Sequence, residues 1–393
     1  MKIAMALERF SPYGGGAEAY AVQLARTLVS EGWEVHLFGH SWDSDPGQAV
    51  FHKIWEPPGW FPASLKMLNF ALLHRRMILR EDFDVVLGFG NTIVMNVYQS
   101  HGGVHYLSTI RKLKAVRTGV WRFLKGLATF LSPKYYARAW IESAAFRMEQ
   151  RPLIVAISDM VRQDMAKHFR VPMSEIKLVY NGIDTTRFGA CDRGAGNALR
   201  RALGVDRETL FLFMAYDFRK KGVRFLIEAA GKLRDRVGSG RFRVVVVGGP
   251  PSPSLRSLVR RLDLDGSVSF HGPTKEPEHW YSACDVFVLP TFYDACSLVV
   301  LEAMAAGLPA ITTVFNGAAG IIAHNLNGAI LQDPADTDEM ARVMERFLDK
   351  EVLESGAAAA RRAALDFTIA RNHRQMIDIF TEAARNRPST PRG

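Results

Sequence analysis

Two rhythms of apolar residues alternate along this chain. Short unbroken apolar runs, "KIAMAL" (2–7), "EVHLFG", "DVVLGFG" (84–90), "PLIVAIS" (152–158) and "IKLVYNGID", read as strands. Between them apolar positions recur every third or fourth residue, as around 17–31, which reads as amphipathic helix. Ser158-Asp159 can cap the helix "MVRQDMAKHF". Residues 184–206 are richer in Gly, Arg and Asp and read as a linker. The alternation then restarts with "LFLFMAY" (210–216), a helix from Gly222 to Val237, "FRVVVVGG" (242–249), "SVSFHG", "DVFVLP" and "PAITT". Strand–helix alternation of this kind specifies an α/β protein with parallel sheets. The expected layout is a doubly wound domain over 1–183, the linker 184–206, a second doubly wound domain over 207–369, a helix over 370–386 and a disordered tail, 387–393. Two such domains facing across a cleft would bind ligands beyond the carboxyl ends of their strands.

Composition narrows the class. At 393 residues, 48% hydrophobic and 23% charged, the chain is an ordinary globular protein of about two domains. Three cysteines, Cys191, Cys284 and Cys296, form no C-x-x-C pair, which argues for a reduced compartment and against a disulfide framework or a zinc site. The opening "MKIAMALERF" breaks at Glu8-Arg9 before a signal-peptide core could form. No segment approaches the roughly 20 apolar residues needed to span a bilayer. The expectation is a cytoplasmic protein, soluble or peripheral.

The net charge of +10 is concentrated. From Val85 to Ile141 there is no Asp or Glu, while Arg111, Lys112, Lys114, Arg117, Arg122, Lys125, Lys134 and Arg138 fall inside that window. Such a patch calls for an anionic partner. Interleaved Val116, Val120, Trp121, Phe123, Leu124 and Leu127 suit an amphipathic helix on an anionic membrane, with Arg111, Lys112, Lys114, Arg117, Arg122 and Lys125 on phosphates and Trp121 at headgroup depth. An ordinary basic surface helix pair covering the sheet is the alternative. No nucleic-acid-binding motif accompanies the patch, so nucleic acid is not expected as a partner.

Candidate chemistry lies just after strands. "SPYGGGAEAY" (11–20) follows the first strand and opens a helix, so Gly15 and Gly16 let a ligand approach a helix N-terminus. A plain turn is the alternative. The loop is not G-x-G-x-x-G, and no acid ends the second strand, which disfavours an NAD enzyme. "YDFRKKGV" (216–223) puts Arg219, Lys220 and Lys221 at a strand end, a set suited to a diphosphate unless it is a solvated charge run. In "PTFYDACSLVVLEAMAAGLPAI" (290–311), Asp294 and Glu302 flank an apolar run. A loop holding Asp294 and a helix starting near Ser297 and holding Glu302 bring both carboxylates to one edge, with the backbone N–H groups of Ser297, Leu298 and Val299 between them. Carboxylates accept from vicinal hydroxyls, as sugars and ribose present. A helix cap at 294 and a partly exposed helix residue at 302 are the alternatives. His101, in "YQSHGGVHY" (98–106), follows an apolar run; a lone histidine is more often structural than catalytic, and His105 and His271 could be taken for it. The D-x-D matches at 43–45, 263–265 and 336–338 stand apart from these motifs, so no metal is expected.

These residues resemble a family. The Asp294/Glu302 pair is similar to the E-x7-E motif of retaining family 4 glycosyltransferases of the GT-B fold, with Asp in place of the first Glu. "LVVLEAMAAGLPAITT", "VYNGID" (179–184), "GGGAE", "VVVVGG" and "SFHG" resemble other segments of that family. "DFRKKGV" and Ser41-Trp42 resemble the lipopolysaccharide core glucosyltransferase I subgroup. The resemblance implies two Rossmann-like domains, the first binding acceptor and the second donor, with the last helix returning to the first domain. It implies that Glu302 holds the donor ribose and Asp294 the sugar hydroxyls. Lys221, with Lys220 or Arg219, would hold the diphosphate, Gly15 and Gly16 would pack against it, and His101 would contact the donor sugar. Catalytic roles fall on Asp294, Lys221 and His101. Tyr216 stands where the family has an arginine, so the second cation must come from Arg219 or Lys220. The implied activity is retaining transfer of a hexose, glucose foremost, from a UDP-type nucleotide sugar to a lipid-linked glycan such as lipopolysaccharide core. It would need no cofactor or metal and would act at the inner face of the cytoplasmic membrane. A sugar-nucleotide 2-epimerase of the same architecture and a non-catalytic nucleotide-sugar-binding protein are the rival readings.

Overall fold

The computed structural model of the chain describes residues 1–12, 14–43, 47–116, 118–189 and 193–386. The tail at 387–393, Cys191, Arg117 and two residues of the 43–45 match lie outside them. Two compact units emerge: residues 1–180 together with the segment from 372 onward, and residues 181–371.

The first unit is built on β1 (Lys2–Ala6), β2 (Glu34–Gly39), β3 (Val50–Lys53), β4 (Val85–Gly88), β5 (Val97–Ser100), β6 (Leu153–Ala156) and β7 (Ile176–Leu178). They pair in the order β3-β2-β1-β4-β5-β6-β7, with every pair parallel. Parallel strands are covered on both faces, which is why their sequences are unbroken apolar runs rather than alternating ones. Ile3, Met5, Leu37, Val85, Leu87 and Val97 are fully buried. Helix α1 (Gly16–Ser30) adds Tyr20, Leu24 and Leu28 to this core. The other helices used below are α2 (Ala63–Ile78), α3 (His105–Leu113), α4 (Gly119–Phe130), α5 (Pro133–Glu142) and α6 (Asp159–Phe169). Ser158 caps α6 by accepting the Val161 N–H at 3.2 Å.

The second unit repeats the plan. Its strands are β8 (Thr209–Ala215), β9 (Phe242–Gly248), β10 (Val268–His271), β11 (Val286–Leu289), β12 (Ala310–Thr313) and β13 (Gly328–Leu331). They run parallel in the order β10-β9-β8-β11-β12-β13. In both sheets the strand order reverses beside the first strand, between β1 and β4 and between β8 and β11. Loops leaving the carboxyl ends of those strands flank the crevice where open α/β sheets bind ligands.

The segment expected as a linker is folded. Helix α7 (Thr185–Gly189) and helix α8 (Arg193–Ala202) belong to the second unit. The glycine content that suggested a linker serves close packing: a Cβ on buried Gly196 would lie 2.4 Å from the Ser282 carbonyl oxygen. Ser282 sits on α10, which follows α9 (Val223–Val237) and spans Pro277–Ala283; α11 covers Leu298–Ala305. The boundary between units falls at 180/181, inside "VYNGID". There Ile183 N–H donates to Phe367 O at 2.9 Å, and Ile369 N–H donates back to Ile183 O at 3.2 Å. Gly182 is required at this pairing, since a Cβ would meet Thr368 O at 2.5 Å.

The last helix, α12 (Ile369–Arg385), enters the first unit, where Asn372 Nδ2 donates to Tyr180 O at 2.6 Å. Its Met376, Ile379, Phe380 and Ala383 join that unit's core. Among the described residues no helix is long and apolar enough to cross a membrane.

Candidate functional site

In the second unit both switch-point loops carry the expected charged residues. The loop after β8 turns through Asp217, whose Oδ1 accepts the Lys220 N–H at 3.0 Å and whose Oδ2 holds the Lys220 ammonium at 2.5 Å. Arg219 and Lys220 are exposed, and Lys221 is half-buried. Gly222 then opens α9 at φ +78°, a left-handed conformation that glycine adopts without strain. A Cβ there would lie 2.1 Å from the Pro290 carbonyl oxygen, so the loop after β8 is pressed against the end of β11. Phe292 N–H donates to Lys220 O at 3.1 Å, bonding the two loops directly. Across that junction the Lys221 ammonium pairs with Asp294 Oδ2. Each side chain keeps about a fifth of its surface in solvent (23% and 21%), so the pair is reachable by a ligand.

Asp294 is held by backbone on both sides. Its N–H donates to Phe315 O at 2.9 Å, and its carbonyl accepts the Gly317 N–H at 2.8 Å. Between those two residues Asn316, fully buried, accepts the Ala318 N–H at 3.1 Å and the Ser297 N–H at 3.3 Å on its side-chain oxygen. Ser297, not Asp294, occupies the N-cap position of α11. Its N–H is directed to Asn316 and is therefore not a third donor beside Leu298 and Val299. Those two occupy the first turn, where no intrahelical carbonyl is in reach.

Glu302 lies one turn further along α11. Tyr281 Oη donates to its Oε2 at 2.8 Å. Burial pushes the Glu302 carboxyl above the usual carboxylate range; the Tyr281 hydrogen bond and the Arg187 charge pull the other way, and Glu278 adds to the rise. Arg187 itself pairs with Glu278 at 2.7 Å. Tyr281, Asn316, Arg187 and Glu278 were not singled out from the sequence. Asn316 alone has an advance signal, its place just past β12; Arg187, Glu278 and Tyr281 lie in helices with no motif to mark them.

Gly15, Gly16 and His101 lie in the first unit. Gly15 is the N-cap of α1, with φ −71°. A Cβ on it would meet Glu18 Oε2 at 2.7 Å, because the Glu18 carboxylate turns back over the helix start. The positive end of this helix therefore faces a carboxylate of its own chain, which opposes the binding of an anion there. His101 packs against Tyr20 (ring centroids 4.6 Å) and Phe89 (5.3 Å). Its Nε2 is buried without a hydrogen-bond partner, and burial pushes the imidazole down to about 3. It is neutral at physiological pH.

The acid-free window forms α3, α4 and α5. Helix α4 is exposed along most of its length, with Val120, Trp121, Phe123, Leu124 and Leu127 all open to solvent; Trp121 and Phe123 are 67% and 70% exposed. Arg111 departs from the expectation. Its guanidinium forms a bidentate pair with Asp164 of α6, at 2.5 and 2.8 Å, with little exposure on either side. It ties α3 to α6 and does not belong with Lys112, Lys114, Arg122 and Lys125 as a surface cation. Glu142, at the end of α5, accepts the His105 N–H at the start of α3 (3.0 Å), and burial pushes its carboxyl up to about 7.

The D-x-D matches have structural partners. Asp336 caps the helix Thr337–Arg346 by accepting from Asp338 and Glu339 N–H at 3.0 and 2.8 Å, and Asp338 pairs with Lys232 at 2.6 Å. Asp263 occupies a left-handed turn position, and Asp43 binds Arg9 at 2.7 Å. Among the described residues no three His, Cys, Asp or Glu side chains are grouped to hold a metal.

Comparison with known proteins identifies the family and the fold. Residues 14–187 match a family model described as Glycosyltransferase Family 4, and residues 208–350 one described as Glycosyl transferases group 1. The lipopolysaccharide glucosyltransferase WaaG of Escherichia coli K12 is 23% identical over 368 residues, covering 93% of this chain and 94% of that protein. A D-inositol 3-phosphate glycosyltransferase of an Arthrobacter species is 26% identical over 377 residues, 89% and 86% of the two chains. The crystal structure of WaaG superposes with a TM-score of 0.78 at 22% identity, over 96% of this chain and 99% of that one. Anabaena HepE in complex with UDP and glucose gives 0.71 at 18% identity, over 97% of this chain and 100% of that one. These structural likenesses establish the fold.

Proposed function

The chain belongs to the family 4 glycosyltransferases of the GT-B fold, and from that premise we propose that it moves a hexose, glucose foremost, from a UDP-linked donor to a lipid-anchored saccharide with retention at the anomeric carbon. The observation that carries the reading is the Lys221–Asp294 pair, set on two bonded loops at the switch point of the second unit, with the half-buried Glu302 carboxylate one helix turn beyond. Glu302 accepts from the donor ribose. Asp294 accepts from the sugar hydroxyls. Lys221, aided by Lys220 or Arg219, neutralises the diphosphate, together with the N–H groups of Leu298 and Val299. No side chain is assigned as nucleophile. The acceptor oxygen bonds to the anomeric carbon on the face the diphosphate leaves, the bond from that carbon to the diphosphate oxygen breaks, and the acceptor proton passes to the departing phosphate oxygen. The protein's contribution is electrostatic: fixed cations and helix-start N–H groups stabilise charge that grows on the leaving group. Gly15, Gly16 and neutral His101 keep the roles the resemblance gives them as matters for variant assays.

The named activity of the E. coli relative supports lipopolysaccharide core as acceptor and glucose as the sugar. That of the Arthrobacter relative supports a second reading, a soluble inositol phosphate acceptor. Mass spectrometry of products from UDP-hexoses with truncated lipopolysaccharide or inositol 3-phosphate separates them. Conversion of donor with no acceptor would replace both by an epimerase, and nucleotide binding without release of UDP would leave a binding module.

A seat on the inner face of the cytoplasmic membrane belongs to the same reading. The exposed apolar face of α4 and the cations Lys112, Lys114, Arg122 and Lys125 support it. Each cation near an anionic leaflet adds about 1 kcal/mol. Co-sedimentation with phosphatidylglycerol vesicles should fall with salt and with Trp121→Ser/Phe123→Ser. Binding indifferent to both would refute a membrane role for this face.

A further inference from the structure

The hydrogen bond from Tyr281 to Glu302 has no role in the functional reading so far, yet it is built with care. Tyr281 is 1% exposed. Its ring meets Phe188 of α7 edge-on at 5.8 Å and Phe287 of β11 at 6.2 Å. One turn earlier on α10, Glu278 is anchored by Arg187, which adjoins Phe188. The segment just past the crossing between units thus fixes α10 at two points, and α10 in turn presents one hydroxyl to one carboxylate oxygen. A buried tyrosine needs some partner for its hydroxyl, but backbone carbonyls would serve. Here Val299 O lies at 3.5 Å and the carboxylate at 2.8 Å.

We propose that Tyr281 is a positioning residue for donor recognition: it fixes Glu302 Oε2 so that Oε1 is the oxygen that accepts from the donor's vicinal diol. This rests on the reading of Glu302 as the ribose-binding carboxylate. A free-swinging carboxylate would have to be ordered when the nucleotide binds, and a protonated one would turn an acceptor into a donor facing other donors. The Tyr281 bond acts against both. Burial alone favours the protonated acid. Opposing it are the Tyr281 hydrogen bond and the charge of Arg187 from α7, while Glu278 from α10 works with burial. On the helix Lys350–Ala364, which packs against α11, the charged groups nearest this region are Glu354 and Arg361, and the Arg361 guanidinium is bonded to the Gly189 carbonyl.

The sign of the effect follows. Removing the hydroxyl withdraws a bond that favours the carboxylate, so the carboxyl titrates at higher pH and nucleotide affinity is lost earlier on acidification. The test is calorimetric titration of UDP into the full chain from pH 5.5 to 8.5, for wild type, Tyr281→Phe and Glu302→Gln. Tyr281→Phe should weaken UDP about tenfold at pH 7.5, the scale of a hydrogen bond to a charged group, and should move the acid midpoint of affinity upward. Turnover at saturating donor should change less than about twofold. Glu302→Gln should lose affinity and keep only the acid limb set by the terminal phosphate of UDP, which titrates at about 6. If Tyr281→Phe binds UDP as wild type does while Glu302→Gln is crippled, the positioning role is overturned and the ribose reading stands. A uniform loss with an unmoved midpoint, reproduced by the packing variant Phe188→Leu, would also overturn it in favour of a structural role. Wild-type affinity in Glu302→Gln would remove the ribose reading and this inference with it.

Discussion

The loop after β1 and the loop after β8 occupy the same place in two sheets of the same strand order, and each opens into the helix that follows its strand. Their chemistry is opposite. The first is an exposed run of glycines whose helix start is covered by the Glu18 carboxylate. The second carries Arg219, Lys220 and Lys221 and is locked to β11 through Gly222 and Pro290. A shared fold supplies two helix N-termini facing two crevices. Side-chain charge and loop rigidity decide which can hold a diphosphate, and they favour the second unit.

Breaking the cationic loop should have the largest consequence. Lys221→Ala should lower turnover by roughly 10²–10³, about 2.7–4 kcal/mol, as loss of a group that stabilises a leaving anion does. Lys220→Ala or Arg219→Ala should cost less, because both side chains are exposed and screened by solvent, whereas Lys221 is half-buried at the junction of the two loops. Steady-state kinetics across the three variants, with Glu18→Ala as the first-unit counterpart, ranks them. A deficit for Glu18→Ala equal to that for Lys221→Ala would reverse the assignment of the anion to the second unit.

The two loops should also differ in their tolerance of a methyl group. Gly222→Ala forces a left-handed residue against the Pro290 carbonyl and should destabilise by at least about 1–3 kcal/mol. Gly15→Ala, at φ −71°, meets only the movable end of Glu18 and should leave the melting temperature nearly unchanged. Thermal denaturation of the pair is the measurement.

Acid should separate the units more gently. The first unit buries His74 and His373, each pushed down to about 4, and half-buries His101, pushed to about 3, and His105, pushed to about 4. An unfolded histidine takes up its proton near 6.5, so stability held above that pH is lost as pH falls towards 4. Glu142, raised to about 7, runs the other way, gaining stability as pH falls from 7 towards 4.5, but it is one group against four. Amide protection, corrected for the slower intrinsic exchange at lower pH, should therefore fall first in residues 1–180 between pH 7 and 5. Smallest of all is the expected response to EDTA: none, since in the proposed reading Lys221 and its neighbours serve the diphosphate. A loss restored by a divalent ion would contradict that.

Much of this was legible in the sequence. Unbroken apolar runs mark parallel strands buried on both faces, and the strand ends locate Lys221, Asp294 and Glu302. The Lys221–Asp294 pair was not legible, since 73 residues separate its members and only the strand order joins them. Nor was Tyr281, which reads as one more core aromatic until its hydroxyl has a partner. Glycine misled at 184–206, where it allows α8 to touch α10 rather than loosening the chain. Charge misled at Arg111, whose counter-ion Asp164 lies outside the acid-free window.

Helix α12 has a consequence for synthesis. A ribosome delivers residues 1–180 before 181–371, but the core they form lacks Met376, Ile379, Phe380 and Ala383 until those residues follow. About 190 residues must emerge in between, roughly 10–40 s at about 5–20 residues per second. During that interval the second unit can fold, while the first exposes an apolar groove shaped for a helix not yet made. The first unit is thus a client for chaperones while the second is being made, and helix α12, translated after the second unit, closes it.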